Sequence, residues 1–504
     1  MLIRNILEES ARKFDEVKAV KSLNKKEIME RSYGELMENV VSTRKGLLAE
    51  GFEGKHIALI GTSSVEWMES YLGIITGCTT AVPLDAALPC EDLIDLLNRS
   101  DSVALFLSPK LRPYLDAFLG NCPKLQKVWM LQEEVEDAPA KAYGIGELRN
   151  AGKSASSDSV CPDAEDIATI IFTSGTTGKS KGVMLTHRNL AENATCLDMK
   201  IPSRTVILSV LPVHHAYCLS MDILKGISLG SVICINDSIM RMAKNIQLFT
   251  PDMILMVPLM IETFARKLEE VRAAGLPAEP VRKKIFGERL HTICSGGAYL
   301  NPDYVDLFAE FGITILQGYG MTECSPVIST NLSWGIRKNS VGKLMPNCEA
   351  KTVDGELLVR GTSVMQGYYK MPKETEETLS DGWLHTGDLG YVDEDGYIYL
   401  TGRRKNLIIT KNGENVSPEE LENALSVNHL IKEIIVRESE GVIEAEIFPD
   451  SEYAQNTGIA DIRAALQELI DEYNVNAPAY KRIYSLKVRG SEFEKTASRK
   501  IKRS

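Results

Sequence analysis

The run Phe172-Thr173-Ser174-Gly175-Thr176-Thr177-Gly178-Lys179-Ser180-Lys181-Gly182 brings glycines, hydroxyls and two lysines into one short stretch. Such a mixture suits an anion. Gly175, Gly178 and Gly182 let backbone N–H groups turn toward a phosphate, Thr173, Ser174, Thr176 and Thr177 add donors, and Lys179 and Lys181 add charge. Gly178-Lys179-Ser180 imitates the end of a P-loop, but that motif needs a glycine five residues before Gly178, where this chain has Thr173. A phosphate cradle of another kind is therefore expected.

Other blocks add chemistry. Gly296-Gly297-Ala298 is backbone that a flat ring can approach closely, and Gly318-Tyr319-Gly320 supplies an aromatic face for stacking. Glu323, after Met321-Thr322, is a hard oxygen ligand suited to Mg²⁺ shared with phosphates. Asp388, in Thr386-Gly387-Asp388, can accept bonds from both hydroxyls of a ribose. His214-His215 invite a metal, yet no carboxylate or cysteine stands at ligand spacing, so pocket wall and structural residue stay equal readings. Asp393-Glu394-Asp395-Gly396 would put Tyr391 and Gly402 at the ends of a calcium loop, so a hairpin turn is expected.

Strands must hold these blocks. Ile167, Ala168, Ile170, Ile171 and Phe172 read as a buried strand of a parallel sheet running into the phosphate loop. Strands at 206–211, 290–294 and 313–316 lead to His215, Gly296 and Tyr319. Ligands of α/β sheets sit beyond the carboxyl ends of strands, so these loops are expected to meet in one cleft. Residues 1–160 alternate strands (56–61, 103–107) with a helix (64–75), a layered scaffold without assigned chemistry. Thr186 reads as the N-cap of a helix from His187, and the Met- and Leu-rich segment 253–260 as core or as the wall of an alkyl tunnel. Past Gly402-Arg403-Arg404-Lys405 come a strand at 407–410 and a helix start with Ser417 as N-cap, Pro418 at N1 and Glu420 as capping-box partner. Ile462, Ala465, Leu466, Leu469, Ile470 and Tyr473 then follow helical spacing, which makes the last hundred or so residues a small α+β domain.

Length and composition bound these readings. A chain of 504 residues holds two to four domains at about 150 residues each. A net charge of −12 argues against a duplex nucleic-acid binder. No apolar run reaches 18 residues, and the first twenty residues lack a signal-peptide core, so neither a transmembrane nor a secreted protein is expected. Ten scattered cysteines without a CxxC pair read as core residues in a reducing compartment.

From residue 167 onward the blocks, in this order, resemble the adenylate-forming superfamily of acyl- and aryl-CoA synthetases, firefly-type luciferases and peptide-synthetase adenylation domains. The chain looks most like the long-chain fatty acid–CoA ligases within it. The resemblance implies an α/β fold: a large N-terminal layered domain with an added β-rich subdomain (1–402), and a small mobile α+β domain (403–504). It implies that Thr173, Ser174, Gly175, Thr176, Thr177, Gly178 and Lys181 hold the ATP phosphates, with Thr176 and Glu323 at Mg²⁺. Gly296, Gly297, Ala298, Gly318, Tyr319 and Gly320 would hold adenine, Thr322 the α-phosphate region, and Asp388 and Arg403 the ribose. His215 matches a position near the acyl carboxylate, Lys405 the hinge, and Lys500 the catalytic lysine.

Two departures stand out. Ser180 replaces the usual Pro of the phosphate loop, and Arg499 replaces the glycine usually found before the catalytic lysine. The expected reaction is ATP-dependent conversion of a medium- or long-chain fatty acid to acyl-AMP and then, with coenzyme A, to acyl-CoA. An acyl-carrier-protein ligase, an aryl-CoA ligase and a catalytically silent nucleotide-binding relative are the alternatives. The expected setting is cytoplasmic, with room for peripheral contact with a membrane surface.

Overall fold

Ser64 accepts a bond from the Trp67 N–H and so starts the helix Val65–Ile75, while Thr186 and Asn189 cap His187–Thr195 reciprocally. Buried apolar runs such as His56–Ile60 and Ala104–Leu107 form the parallel strands that these helices connect. The computed structural model is accordingly α/β, and describes residues 2–24, 27–136, 141–155, 160–173, 179–410, 414–495 and 501–503. The chain forms two compact units, residues 1–349 with 359–384 and residues 350–358 with 385–504. The second therefore takes in residues 385–402 besides the stretch after the Gly402-Arg403 junction.

Two sheets organise the first unit. An eight-stranded sheet runs Gly367–Tyr368, Lys181–Thr186, Ile167–Thr173, Thr80–Leu84, His56–Ile60, Ala104–Leu107, Lys127–Met130, Ala142–Gly144. A nine-stranded sheet has Thr314–Gly320, Thr292–Ser295, Met253–Met256 and Val206–Ser209 as adjacent parallel strands. The strands leading to His215, Gly296 and Tyr319 thus share one sheet, but Ile167–Thr173 lies in the other, so the expected cleft draws on two sheets. Ile167–Thr173 is also only half parallel: it runs parallel to Thr80–Leu84 and antiparallel to Lys181–Thr186, because the loop between Thr173 and Lys181 returns as a hairpin.

The scaffold reading of the N-terminus missed a long-range pairing. Lys18–Asn24 joins the nine-stranded sheet beside Val232–Ile235, with Val20 opposite Ile233. The segment 253–260 divides: Met253–Met256 is a buried central strand, and Leu259, past its end, is 49% exposed. The strand half is core, which leaves only residues from Val257 onward to line a tunnel.

In the second unit, Ile431–Ser439, Val442–Pro449 and Ser485–Val488 form a three-stranded sheet packed with Pro418–Leu425 and Ile462–Asn476. Its core includes Leu421, Leu425, Val436, Ile447, Leu466 and Ile470. The expected capping box at Ser417 does not form. Its hydroxyl bonds Glu419 at 3.0 Å, two residues on, and makes no bond to the first-turn N–H groups. Asp393 and Tyr397 close the turn expected at 393–396. All ten cysteines are free thiols, and among the described residues no helix is long and apolar enough to cross a membrane.

Candidate active site

Gly296 and Gly297, past the end of Thr292–Ser295, lie near Tyr217, Val257 and Gly318. A methyl group added at Gly296 would lie 3.4 Å from the Tyr217 ring and 3.5 Å from the Gly318 carbonyl, and one at Gly297 would lie 3.9 Å from Val257. Those are ordinary contacts, so a side chain at Gly296 would pack against Tyr217 and Gly318 without a clash. Gly297 needs glycine for another reason: its φ is +88°, a left-handed conformation. At Gly320 the neighbour is the chain itself, since an added Cβ would fall 1.9 Å from the Pro326 carbonyl. The tight return of the strand therefore requires glycine at 320. Ala298 is exposed and Tyr319 half-buried.

Lys181 and Glu323 meet through a residue that the motifs did not single out. The short strand Gly367–Tyr368 pairs antiparallel with Lys181–Thr186, placing Tyr368 opposite Val183. Its hydroxyl donates to Glu323 Oε1 at 2.8 Å, and Lys181 Nζ sits 4.7 Å from its ring centroid. Lys181 and Glu323, assigned from motifs about 140 residues apart in sequence, are thus brought to one tyrosine. Burial and the nearby Glu323 carboxylate push the Tyr368 phenol well above its usual range. Thr173 pairs with Lys181 at the mouth of the hairpin. Ser174, Gly175, Thr176, Thr177 and Gly178 lie outside the described residues, as do Gly413, Arg499 and Lys500.

The turn carrying Thr322 and Glu323 is fastened from three directions. Met365 donates its N–H to the Glu323 carbonyl at 2.8 Å, and Ser220 donates to the Ser325 carbonyl at 2.6 Å. Asn193, 1% exposed, accepts from the Val327 N–H at 3.2 Å and donates to the Val327 carbonyl at 2.8 Å and Ser363 Oγ at 2.9 Å. Replacing Asn193 with Ala strands these buried groups and is expected to lower stability by about 1–3 kcal/mol, measured by urea denaturation. An unchanged midpoint would contradict the bracing role.

His215 is exposed and its carbonyl accepts the Leu219 N–H, whereas His214 stands 3.8 Å from Asp85. Burial holds His214 below the usual histidine range, with Asp85 opposing, so it is neutral near pH 7. The following π-helical turn, Cys218–Lys225, buries Asp222 completely. Ser209 donates to Asp222 Oδ2 at 2.7 Å, and Oδ1 has no partner among the described residues.

Burial pushes the Asp222 carboxyl from 3.8 up to about 7, with the Ser209 bond opposing. An acid whose folded value is raised holds its proton in the fold, so its stabilising contribution is full below about 3.8 and lost as pH rises through about 7. Asp222→Asn removes the titration. Its stability relative to wild type should rise between pH 4 and 7 by at most about 4 kcal/mol and then level off. A difference constant over pH 4–8 in denaturation curves would refute the assignment.

Asp388 and Arg403 belong to the second unit. They face each other across paired strands, and Arg403 Nε meets Asp388 Oδ1 at 2.8 Å. Asp388 is buried and Arg403 half-exposed, so the pair presents a fixed carboxylate. Burial, with the neighbouring Arg403, lowers the Lys405 pKa.

Residues 7–369 match the AMP-binding enzyme family, and residues 405–504 its C-terminal domain. Among curated proteins, the peroxisomal long chain acyl-CoA synthetase 7 of Arabidopsis thaliana is 27% identical over 80% of this chain and 66% of its own length. The chloroplastic long-chain-fatty-acid–[acyl-carrier-protein] ligase AEE15 of the same plant is 27% identical over 87% and 75%. The chain thus spans 66% and 75% of these relatives. The fold is shared with two solved structures. The anthranilate CoA ligase AuaEII in complex with anthranoyl-AMP has a TM-score of 0.85 at 21% identity, covering 99% of this chain and 95% of that one. The o-succinylbenzoate coenzyme A synthetase of Bacillus subtilis in complex with ATP and magnesium ion has 0.79 at 24%, covering 99% and 98%. With Lys181 and Glu323 brought to one tyrosine in this fold and the family match running over most of its length, the chain belongs to the AMP-binding enzyme family.

Proposed function

We propose that this protein activates a carboxylic acid, a medium- or long-chain fatty acid, with ATP to form acyl-AMP and pyrophosphate, then transfers the acyl group to coenzyme A with release of AMP. The observation that carries the reading is the gathering of Lys181 and Glu323 on Tyr368. A cation for triphosphate oxygens and a carboxylate for their metal are the two charges that MgATP requires.

The donor set fits Mg²⁺. Tyr368 occupies one Glu323 oxygen, and among the described residues no group of three or more His, Cys, Asp or Glu side chains forms a closed metal cage. Mg²⁺ usually keeps waters and binds through one or two carboxylates plus substrate phosphates, so Glu323 with Thr176 suits it. When bound, Mg²⁺ offsets the charge that gathers on the departing pyrophosphate.

The remaining steps fall to the chain. Its loop lysine draws the β- and γ-phosphates aside, so the carboxylate oxygen attacks the α-phosphorus in line while the bond to pyrophosphate breaks. The thiolate sulfur of coenzyme A then attacks the acyl carbonyl carbon, and AMP leaves with the former carboxylate oxygen. Residues 1–402 carry nucleotide and acyl group in this reading, and 403–504 carry Lys500. Ten free thiols suit a cytoplasmic setting. The fatty acyl preference follows the relatives' names, and the carrier-protein ligase among them supports an acyl-carrier protein as the alternative acceptor.

Incubation with ATP, Mg²⁺ and a panel of fatty, aryl and short-chain acids, with coenzyme A, a carrier protein or neither, tests this. AMP and thioester should form best with a fatty acid and coenzyme A. Preference for an aryl acid would overturn the substrate assignment, and thioester on the carrier protein alone would overturn the acceptor.

A further inference from the structure

We infer that Tyr368 is a positioning residue for the metal–nucleotide complex, aligning the carboxylate of Glu323 and the ammonium of Lys181 with each other. This rests on the proposed role of Glu323 at MgATP. Residues 365–369 are fastened on both sides. Gln366 and Tyr369 donate their N–H groups to the carbonyls of Met184 and Gly182 on the strand that returns from the phosphate loop, at 3.0 and 2.7 Å. Met365 donates to the Glu323 carbonyl at 2.8 Å. Tyr368 is itself fixed, since its N–H donates to Thr375 Oγ1 at 2.9 Å. Gly367, at φ +147°, passes so close to Thr375 that a Cβ would fall 2.7 Å from its Cγ2.

Each half of the side chain then has a task. The hydroxyl takes Glu323 Oε1 in a bond to a charged acceptor, which fixes the carboxylate plane and leaves Oε2 for a cation. The ring face holds Lys181 by its electron-rich π surface, so the ammonium stays beside the carboxylate without closing a direct ion pair among the described contacts. A Lys181–Glu323 salt bridge would neutralise both charges that the nucleotide needs. The tyrosine keeps them adjacent and available.

Tyr368→Phe keeps the ring and removes only the hydroxyl. ATP binding by isothermal titration calorimetry across a Mg²⁺ series, together with Mg²⁺ dependence of acid-stimulated pyrophosphate release, reads the effect. The variant should need roughly 10- to 100-fold more Mg²⁺ for half-saturation, a usual loss for a partner of a metal ligand, while metal-free ATP binding and thermal melting stay near wild type. In a Glu323→Gln background the same exchange should shift the Mg²⁺ requirement far less, because the carboxylate that the hydroxyl positions for the metal is gone. A wild-type Mg²⁺ requirement in Tyr368→Phe, or an equal shift in both backgrounds, would overturn the inference. Absence of Mg²⁺-dependent ATP binding in the wild type would instead overturn the reading of Glu323 beneath it.

Discussion

Glu323→Gln should release pyrophosphate from ATP and a fatty acid roughly 10² to 10³ times more slowly than wild type, with the fold intact. The exchange is nearly isosteric and keeps an oxygen for the Tyr368 hydroxyl, so the local hydrogen bond survives. What goes is the negative charge. Two anions, carboxylate and triphosphate, must approach in the first step, and the metal that relieves their repulsion loses its hard ligand. Initial rates over a Mg²⁺ series measure this, and excess Mg²⁺ should recover part of the loss. A variant with wild-type rates would remove Glu323 from the nucleotide site.

Lys500→Ala is expected to slow adenylation by a similar factor, roughly 10² to 10³, while leaving thioester formation from supplied acyl-adenylate close to wild type. The separation follows from where charge lies. In the first step a cation is needed between the incoming carboxylate and the α-phosphate; in the second the acyl group is already activated, and AMP leaves as a stable anion. Lys500 lies outside the described residues, so its role is proposed from the resemblance of Thr496-Ala497-Ser498-Arg499-Lys500-Ile501 to the family's C-terminal motif. Following the two half-reactions separately, by pyrophosphate release and by thioester formation, checks it. Equal loss in both would contradict the division of labour.

Much of the fold was legible because local chemistry agreed with it. Thr186 announced its helix, Ser64 preceded another, and the apolar runs at 206–211, 290–294 and 313–316 became strands of one sheet, with Met253–Met256 between the first two. The errors lie where a partner distant in sequence decides. Lys18–Asn24 looks like an ordinary strand, and only Val232–Ile235 makes it part of the second sheet. Ser417 sits at a helix start with glutamates nearby, but which of them it bonds depends on a backbone angle that composition does not report. Of the two readings of the Met-rich segment, core holds for Met253–Met256, which neighbouring strands on both sides bury.

The site divides the same way. Lys181, Glu323 and the glycine turns carry their chemistry in their residue types, and the structure brings Lys181 and Glu323 to one tyrosine. Tyr368 carries no such mark: it follows a glycine near the end of the first family match, and its role exists only because Gly367–Tyr368 pairs with Lys181–Thr186. Asp222 was equally silent, since one aspartate in an apolar segment gives no sign that burial will raise its pKa. A tyrosine beside the glycines of a strand that pairs with a phosphate loop is the signal to seek in similar chains.

Acid-dependent exchange of labelled pyrophosphate into ATP, measured without coenzyme A, reads the formation and reversal of acyl-AMP most directly. Label should enter ATP when Mg²⁺ and a medium- or long-chain fatty acid are both present, and exchange should fall sharply when either is withheld or when Glu323 is Gln. Exchange with no acid in the panel, from protein that binds MgATP normally, would contradict the central reading and leave a nucleotide-binding member of the family that makes no adenylate.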